Sequence, residues 1–469
     1  MKRLLAALLI ASPALGQTRT LTADDYARAE RALITGTASL VTGTAGRPSW
    51  LPDGRFTYRA TTVNGSSFWL VDPAKKTRVP AFDHARLAAA ISAMGVRADA
   101  DHLPFQSADL SADGKTLMYQ AGGGGFGGGR GGRGGNGSGR FTCDLTAYTC
   151  AALAMGPAAP PNSVTSPDGK RAAYIKNFNL YVTELATGRE TQLTTDGIKD
   201  FGYATNNAGW TRSDTPVLTW SPDSKKIATF QHDSRGTSEM YLVRTGVGAP
   251  QLEAWKYPLP GDSVIFRISR VIIDVDAVKV VRLQMPPDAH RSTVADHIAC
   301  GTRICDLEWY PDGSAIAFIS SSRDHKHAWM RTADAATGVV KTLFEETSKT
   351  QIGDASGNED MRVLPAEKDL IWWSERDNWG QLYLYDLSSG ALKNRITTGD
   401  GNVETIERVD EKARTIWFMG GGKEAGRDPY FLHFYKVGLD GKRQTLLTPE
   451  NANHSIALSP DGKYFVDTY

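Results

Sequence analysis

Residues 307–319 read LEWYPDGSAIAFI. An apolar run ends at Tyr310, and Pro311, Asp312 and Gly313 then supply a tight turn. Proline presets its φ, aspartate bonds its own backbone and glycine accepts φ > 0. Ile316 and Phe318 follow in strand-like alternation. The phrase recurs as SWLPDGRFTYR (49–59), DLSADGKTLMYQ (109–120), VTSPDGKRAAYI (164–175), LTWSPDSKKIATF (218–230) and ALSPDGKYFVDTY (457–469). Two worn copies lie around Pro365 (VLPAEKDLIWWS) and Asp410 (RVDEKARTIWFMG).

A second phrase follows the openings, as in LYVTELATGRETQLT (180–194), AWMRTADAATGVVKTLF (328–344), LYLYDLSSGALKNRIT (382–397) and FYKVGLDGKRQTLLT (434–448). Each reads strand, turn, strand, so one period carries four strands. Most turns lie roughly 45–60 residues apart, the size of a β-propeller blade. The exception is the interval from Pro222 to Pro311, where VIFRISRVIIDVDAVKVVRLQM (264–285) is strand-like but lacks the Pro-Asp-Gly turn. It reads as a diverged blade. The expected fold is all-β, a propeller over residues 46–469 of about eight four-stranded blades, seven being the alternative, with the last blade incomplete.

Residues 1–16 have the order of an export signal. Lys2 and Arg3 precede the apolar run LLAALLIASPAL, and cleavage is expected between Gly16 and Gln17. The product would be periplasmic or secreted. No other apolar run approaches the roughly 18 residues of a membrane span. The formal net charge of +1 gives no electrostatic case for nucleic acid or an anionic membrane as partner. In 17–45, Thr22 followed by Asp25 predicts one capped helix outside the propeller. The four cysteines form two close pairs, and in an oxidising compartment Cys143–Cys150 and Cys300–Cys305 are expected as disulfides. The Gly/Arg-rich tract at 122–140 falls between two predicted strands and reads as a flexible hairpin loop rather than an RNA-binding segment.

Catalytic motifs are missing. The sequence holds no GxSxG, P-loop, HExxH or CxxC. His325 and His327 could share one face of a strand and reach a common metal, but no third ligand is evident. No metal or cofactor is expected. Trp372 and Trp373 point to opposite faces of a strand and read as blade packing.

The order and wording of these phrases resemble the N-terminal propeller of the dipeptidyl peptidase IV family, in the prolyl oligopeptidase clan of serine peptidases. The longest matching phrases are LIWWSERDNWGQLYLYDLSSG (370–390), GRDPYFLHFYKVGLDG (426–441), LLTPENANHSIALSPDGKYFVDTY (446–469), WSPDSKKIATFQHDSR (220–235) and WKYPLPGD (255–262). The resemblance spans roughly residues 47–469. It implies that an α/β-hydrolase domain carrying the serine, aspartate and histidine follows the last strand, and that these 469 residues are a fragment without it. It further implies short peptides as substrates of the parent, and a parental homodimer. In the family, the motif Asp-Trp-Val-Tyr-Glu-Glu holds a peptide's free amino group. The matching stretch here is DFGYATNN (200–207), which keeps Asp200 and Tyr203 but has Ala204 and Thr205 in place of the glutamates. That departure speaks against trimming from a free N-terminus. Asn206 and Asn207 remain as possible backbone partners, and Arg235 and Glu239 complete the candidate substrate-binding set. The alternative reading is a stand-alone periplasmic binding or scaffold propeller.

Overall fold

The Pro-Asp-Gly phrases close as hydrogen-bonded turns. Gly54, Gly114, Gly169, Gly313 and Gly462 all take positive φ, and each N–H donates to the carbonyl three residues back, as from Gly313 to Tyr310 at 2.9 Å. The aspartates accept from the N–H two residues on, at 3.0 Å for Asp168 with Lys170 and 3.1 Å for Asp461 with Lys463. In the Pro222 copy Ser224 replaces the glycine, yet it too adopts φ 61°. Its hydroxyl accepts from the Asp168 N–H at 3.1 Å, so the cost of the left-handed backbone is offset by a contact no glycine could make.

The computed structural model describes residues 20–33, 37, 40–121, 139–153, 159–205, 214–289, 299–300, 303–352 and 361–469. The export signal and most of the Gly/Arg-rich tract lie outside these, but Gly139 and Arg140 begin a strand, Gly139–Asp144, paired with Thr116–Ala121. The chain divides into two units: residues 1–153 with 459–464, and 154–458 with 465–469.

The first unit holds two four-stranded antiparallel sheets, at 49–80 and 109–152. Helix α1 (Ala23–Arg31) has the expected capping box, Thr22 with Asp25, and buries none of its residues. A second helix, α2 (His84–Ala93), corrects the expectation of a single helix. Asp83 accepts from the Arg86 N–H at its start, and Leu87, Ala88 and Ile91 are buried against Phe68, Phe105 and Leu117. Cys143 and Cys150 are cross-strand partners and form a disulfide.

The second unit repeats the blade at 164–192, 201–289, 307–347, 361–395 and 402–446, and the ribbon Ser455–Leu458 with Phe465–Thr468 follows. Among the described residues the chain therefore carries seven sheets of blade type and a final two-stranded ribbon, an all-β propeller fold. Residues 264–285 are not a blade of their own. They supply Arg267–Asp274 and Lys279–Arg282 to the sheet begun by the Pro222 phrase, and the extra length is a projecting hairpin, Glu239–Arg244 with Gln251–Lys256. Apolar faces of successive sheets stack: Phe230, Ile268 and Ile272 meet Leu307, Trp309 and Phe318. Indoles link sheets by hydrogen bonds, Trp220 to the Val164 carbonyl at 3.1 Å and Trp309 to the Thr219 carbonyl at 3.2 Å. Trp372 and Trp373 fall in different core clusters, as their alternation requires.

Cys305 is disulfide-bonded, whereas the side chain of Cys300, its expected partner, lies outside the described residues. His325 sits in a turn at φ 55°, before the strand His327–Asp334. The two histidines therefore do not share a strand face, and His327 instead bonds Glu345 at 2.7 Å.

Candidate functional site

The sheet at 201–289 departs most from the repeat, and it carries the matched stretch. Its first strand is split. Phe201–Tyr203 and Thr219–Trp220 both pair with Lys226–Asp233, the first opposite Gln231–Asp233 and the second opposite Ile227–Ala228, so the strand breaks opposite Thr229 and Phe230. Asn206 and Asn207 belong to the connection between the two segments and lie outside the described residues.

Asp200 occupies a tight turn at φ 65°, closed by reciprocal bonds between Ile198 and Phe201 at 2.9 and 3.1 Å. Its carbonyl accepts from the Ser234 N–H at 2.9 Å. The register sets Phe201 opposite Asp233, and this brings Arg235 over the Phe201 ring at 3.9 Å. Arg235 also donates twice to Asp233, at 2.9 and 2.8 Å, and these bonds hold the Asp233 carboxyl below the usual carboxylate range. Asp200 and Arg235 thus share one corner, with the guanidinium neutralised and stacked.

Tyr203 is buried, and its hydroxyl donates to Asp196 at 2.7 Å while accepting from Arg282 at 2.8 Å. Burial, then the bond to Asp196, pushes its phenol well above the ordinary tyrosine value. Ala204 is fully buried at φ 54°, and its N–H donates to the Phe230 carbonyl at 2.9 Å. Glu239 begins the projecting hairpin, exposed, and accepts from the Tyr241 hydroxyl at 2.9 Å. The neighbouring strand, Arg267–Asp274, holds a buried ion network that the repeat pattern did not reveal. Arg270 donates to Asp288 at 2.9 Å and to Asp306, and Asp288 also accepts from Ser320 at 2.9 Å. The arginine side chain is only 4% exposed. The sequence signal was the second arginine of the run FRISRVIID, which falls on a buried position while Arg267 is exposed.

A family model described as the dipeptidyl peptidase IV (DPP IV) N-terminal region matches residues 139–469. The chain belongs to that family. Similar curated relatives include "Probable dipeptidyl-aminopeptidase B" of Aspergillus clavatus, 22% identical over 334 residues, covering 65% of this chain and 35% of the relative. Another is "Probable dipeptidyl peptidase 4" of Arthroderma benhamiae, 24% identical over 330 residues, covering 65% and 39%. The chain thus spans little more than a third of the length of these relatives. Among solved structures, Porphyromonas gingivalis dipeptidyl peptidase 4 aligns with a TM-score of 0.56 at 18% identity, over 93% of this chain and 57% of that one. Similarity at this level shows the fold alone. Within the DPP IV N-terminal family fold, Tyr203 lies in the sheet, Asp200 and Arg235 flank the paired ends of Phe201–Tyr203 and Lys226–Asp233, and Glu239 stands on the separate hairpin.

No helix among the described residues is long and apolar enough to cross a membrane.

Proposed function

We propose that this chain is the substrate-gating propeller of an exported serine peptidase related to dipeptidyl peptidase IV. Its role is to restrict entry to short peptides, and acyl transfer is the task of an α/β-hydrolase domain of the parent protein. The observation that carries this reading is the DPP IV N-terminal family match over residues 139–469. Peptides would be held near the split strand, with Asp200 and the connection containing Asn206 and Asn207 as polar partners. Ala204, buried and without a carboxylate, cannot anchor an ammonium as a glutamate would. The gate therefore favours internal or blocked peptide ends as readily as free ones. A homodimer of the parent would draw on the projecting hairpin, where Tyr241, Val243 and Leu252 are exposed.

Reading the coding sequence beyond Tyr469 tests the assignment. A continuing frame with a GxSxG motif supports it; a clean stop followed by an unrelated gene favours a stand-alone binding propeller. The purified chain itself should neither cleave aminoacyl chromogenic substrates nor take up a fluorophosphonate probe, and a stoichiometric, specific label would overturn the division of labour. Export is checked by cell fractionation and by N-terminal sequencing, which should begin at Gln17.

A further inference from the structure

His454 precedes the final ribbon and is tied down on all sides. Its N–H donates to the Leu432 carbonyl at 2.9 Å, and its side chain has no exposed surface. Nδ1 lies 2.7 Å from Asp467 Oδ2, and Nε2 lies 3.1 Å from the Glu450 carbonyl oxygen. Both ring nitrogens thus face acceptor oxygens. Acceptors outnumber donors here. Asp467 Oδ1 is buried with no hydrogen-bond partner. His433, 2% exposed, packs its ring 5.1 Å from that of His454. Its Nδ1 faces the Thr448 carbonyl at 3.1 Å and so donates, which leaves a lone pair on Nε2, also buried and unpartnered. An imidazole with one nitrogen fixed on a carbonyl and the other bare is the usual posture of a metal-binding histidine. One ligand atom each from Glu450, His454 and Asp467 lies within 4.8 Å of the others.

We propose that Glu450, His454 and Asp467 bind a divalent transition-metal ion, with His433 as a neighbouring imidazole donor. The metal takes the place of a hydrogen on the His454 ring and supplies the positive charge that the surplus acceptors lack. Two carboxylates with imidazole nitrogen suit the zinc and manganese class over soft monovalent copper, and the imidazoles disfavour calcium. Ligation would join the ribbon (Asp467) to the loop that carries Glu450. Nothing in this inference depends on the peptidase reading.

The test is calorimetric titration of the purified full chain with Zn2+ and with Mn2+, Ca2+ serving as the hard-cation control, paired with thermal melts. One equivalent of Zn2+ should bind and raise the Tm, with Ca2+ silent. Glu450→Gln keeps the backbone carbonyl bond and replaces an exposed side chain, so it should fold normally and bind Zn2+ at least about tenfold more weakly. Asp467→Asn should weaken binding likewise. His327→Gln, at the exposed His327–Glu345 pair, should leave it unchanged. Absence of saturable binding, or wild-type affinity in Glu450→Gln, would overturn the proposal and leave the cluster as an ion pair only.

Discussion

The sheets at 402–446 and 201–289 are built from one repeat and are stabilised differently. In the former, four strands follow in sequence order, and Ile416, Phe418 and Val437 are fully buried in an all-apolar cluster. In the latter, the first strand is split, a hairpin projects, and Arg270 is buried between Asp288 and Asp306. The core of the regular sheet rests on shape and alternation. The irregular sheet depends on charges that must all be present, because burying one of them unpaired is costly. The stretch proposed above to face substrate enters the irregular sheet at Phe201–Tyr203.

The contrast can be broken by mutation. Arg270→Met should destabilise the chain by about 3–5 kcal/mol, since two carboxylates remain buried without their cation. Phe418→Ala should lose a similar amount, about 3–5 kcal/mol, through cavity formation. The two should separate on repair: adding Asp306→Asn should recover part of the Arg270→Met loss, whereas no polar change should rescue Phe418→Ala. Denaturant titrations of the three variants check this, and equal behaviour would erase the distinction. Losing the Cys143–Cys150 disulfide, which closes a loop of sequence separation 7, should cost about 2–3 kcal/mol under the chain-entropy model. Comparing wild type with Cys143→Ala/Cys150→Ala under non-reducing conditions measures it.

A pH series sharpens the view of the regular sheet. The Lys423 ammonium donates to the Thr398 and Asp400 carbonyls at 3.3 and 3.2 Å, and burial, followed by repulsion from Arg395, pushes its pKa down to about 8. The unfolded chain therefore holds this proton up to about pH 10.4 while the folded chain releases it near 8. Between these values stability rises with pH, and below about 8 the buried charge is a burden. Wild type should accordingly gain stability relative to Lys423→Met as the pH is raised from 7 to 10. A pH-independent difference between the two would refute the shift. The smallest effect is expected on the hairpin. Leu252 is 68% exposed, and Leu252→Ser should alter stability by no more than about 0.5 kcal/mol.

These differences also mark what could be read from sequence. The turns were legible because Pro-Asp-Gly imposes its own geometry locally, and the strands because burial on a sheet enforces alternation. Helix α2 was hidden in a 60-residue interval, though Asp83 ahead of an Ala-rich stretch is a start signal. Residues 264–285 read as a separate blade because a hairpin insertion and an extra blade add similar length, and only strand pairing separates them. Of the candidate residues, Asp200 and Tyr203 were proposed from the resemblance alone. That the Tyr203 hydroxyl is engaged by Asp196 and Arg282, 79 residues away in sequence for the latter, depends on tertiary contact and leaves no local trace. The cluster around His454 escaped for the same reason: His433, Glu450 and Asp467 have no motif spacing.

The most direct test of the gating account is the ratio of kcat/KM for free and N-terminally blocked versions of one peptide, measured on the parent enzyme with its hydrolase domain. Two lost carboxylates would each have contributed about 1.5–3 kcal/mol to holding an ammonium, more than neutral amides at about 1 kcal/mol apiece restore. The ratio should therefore stay near unity. A preference of about a hundredfold or more for the free amine would contradict the account and show that another acid, with Glu239 the first to replace, holds the peptide's amino end.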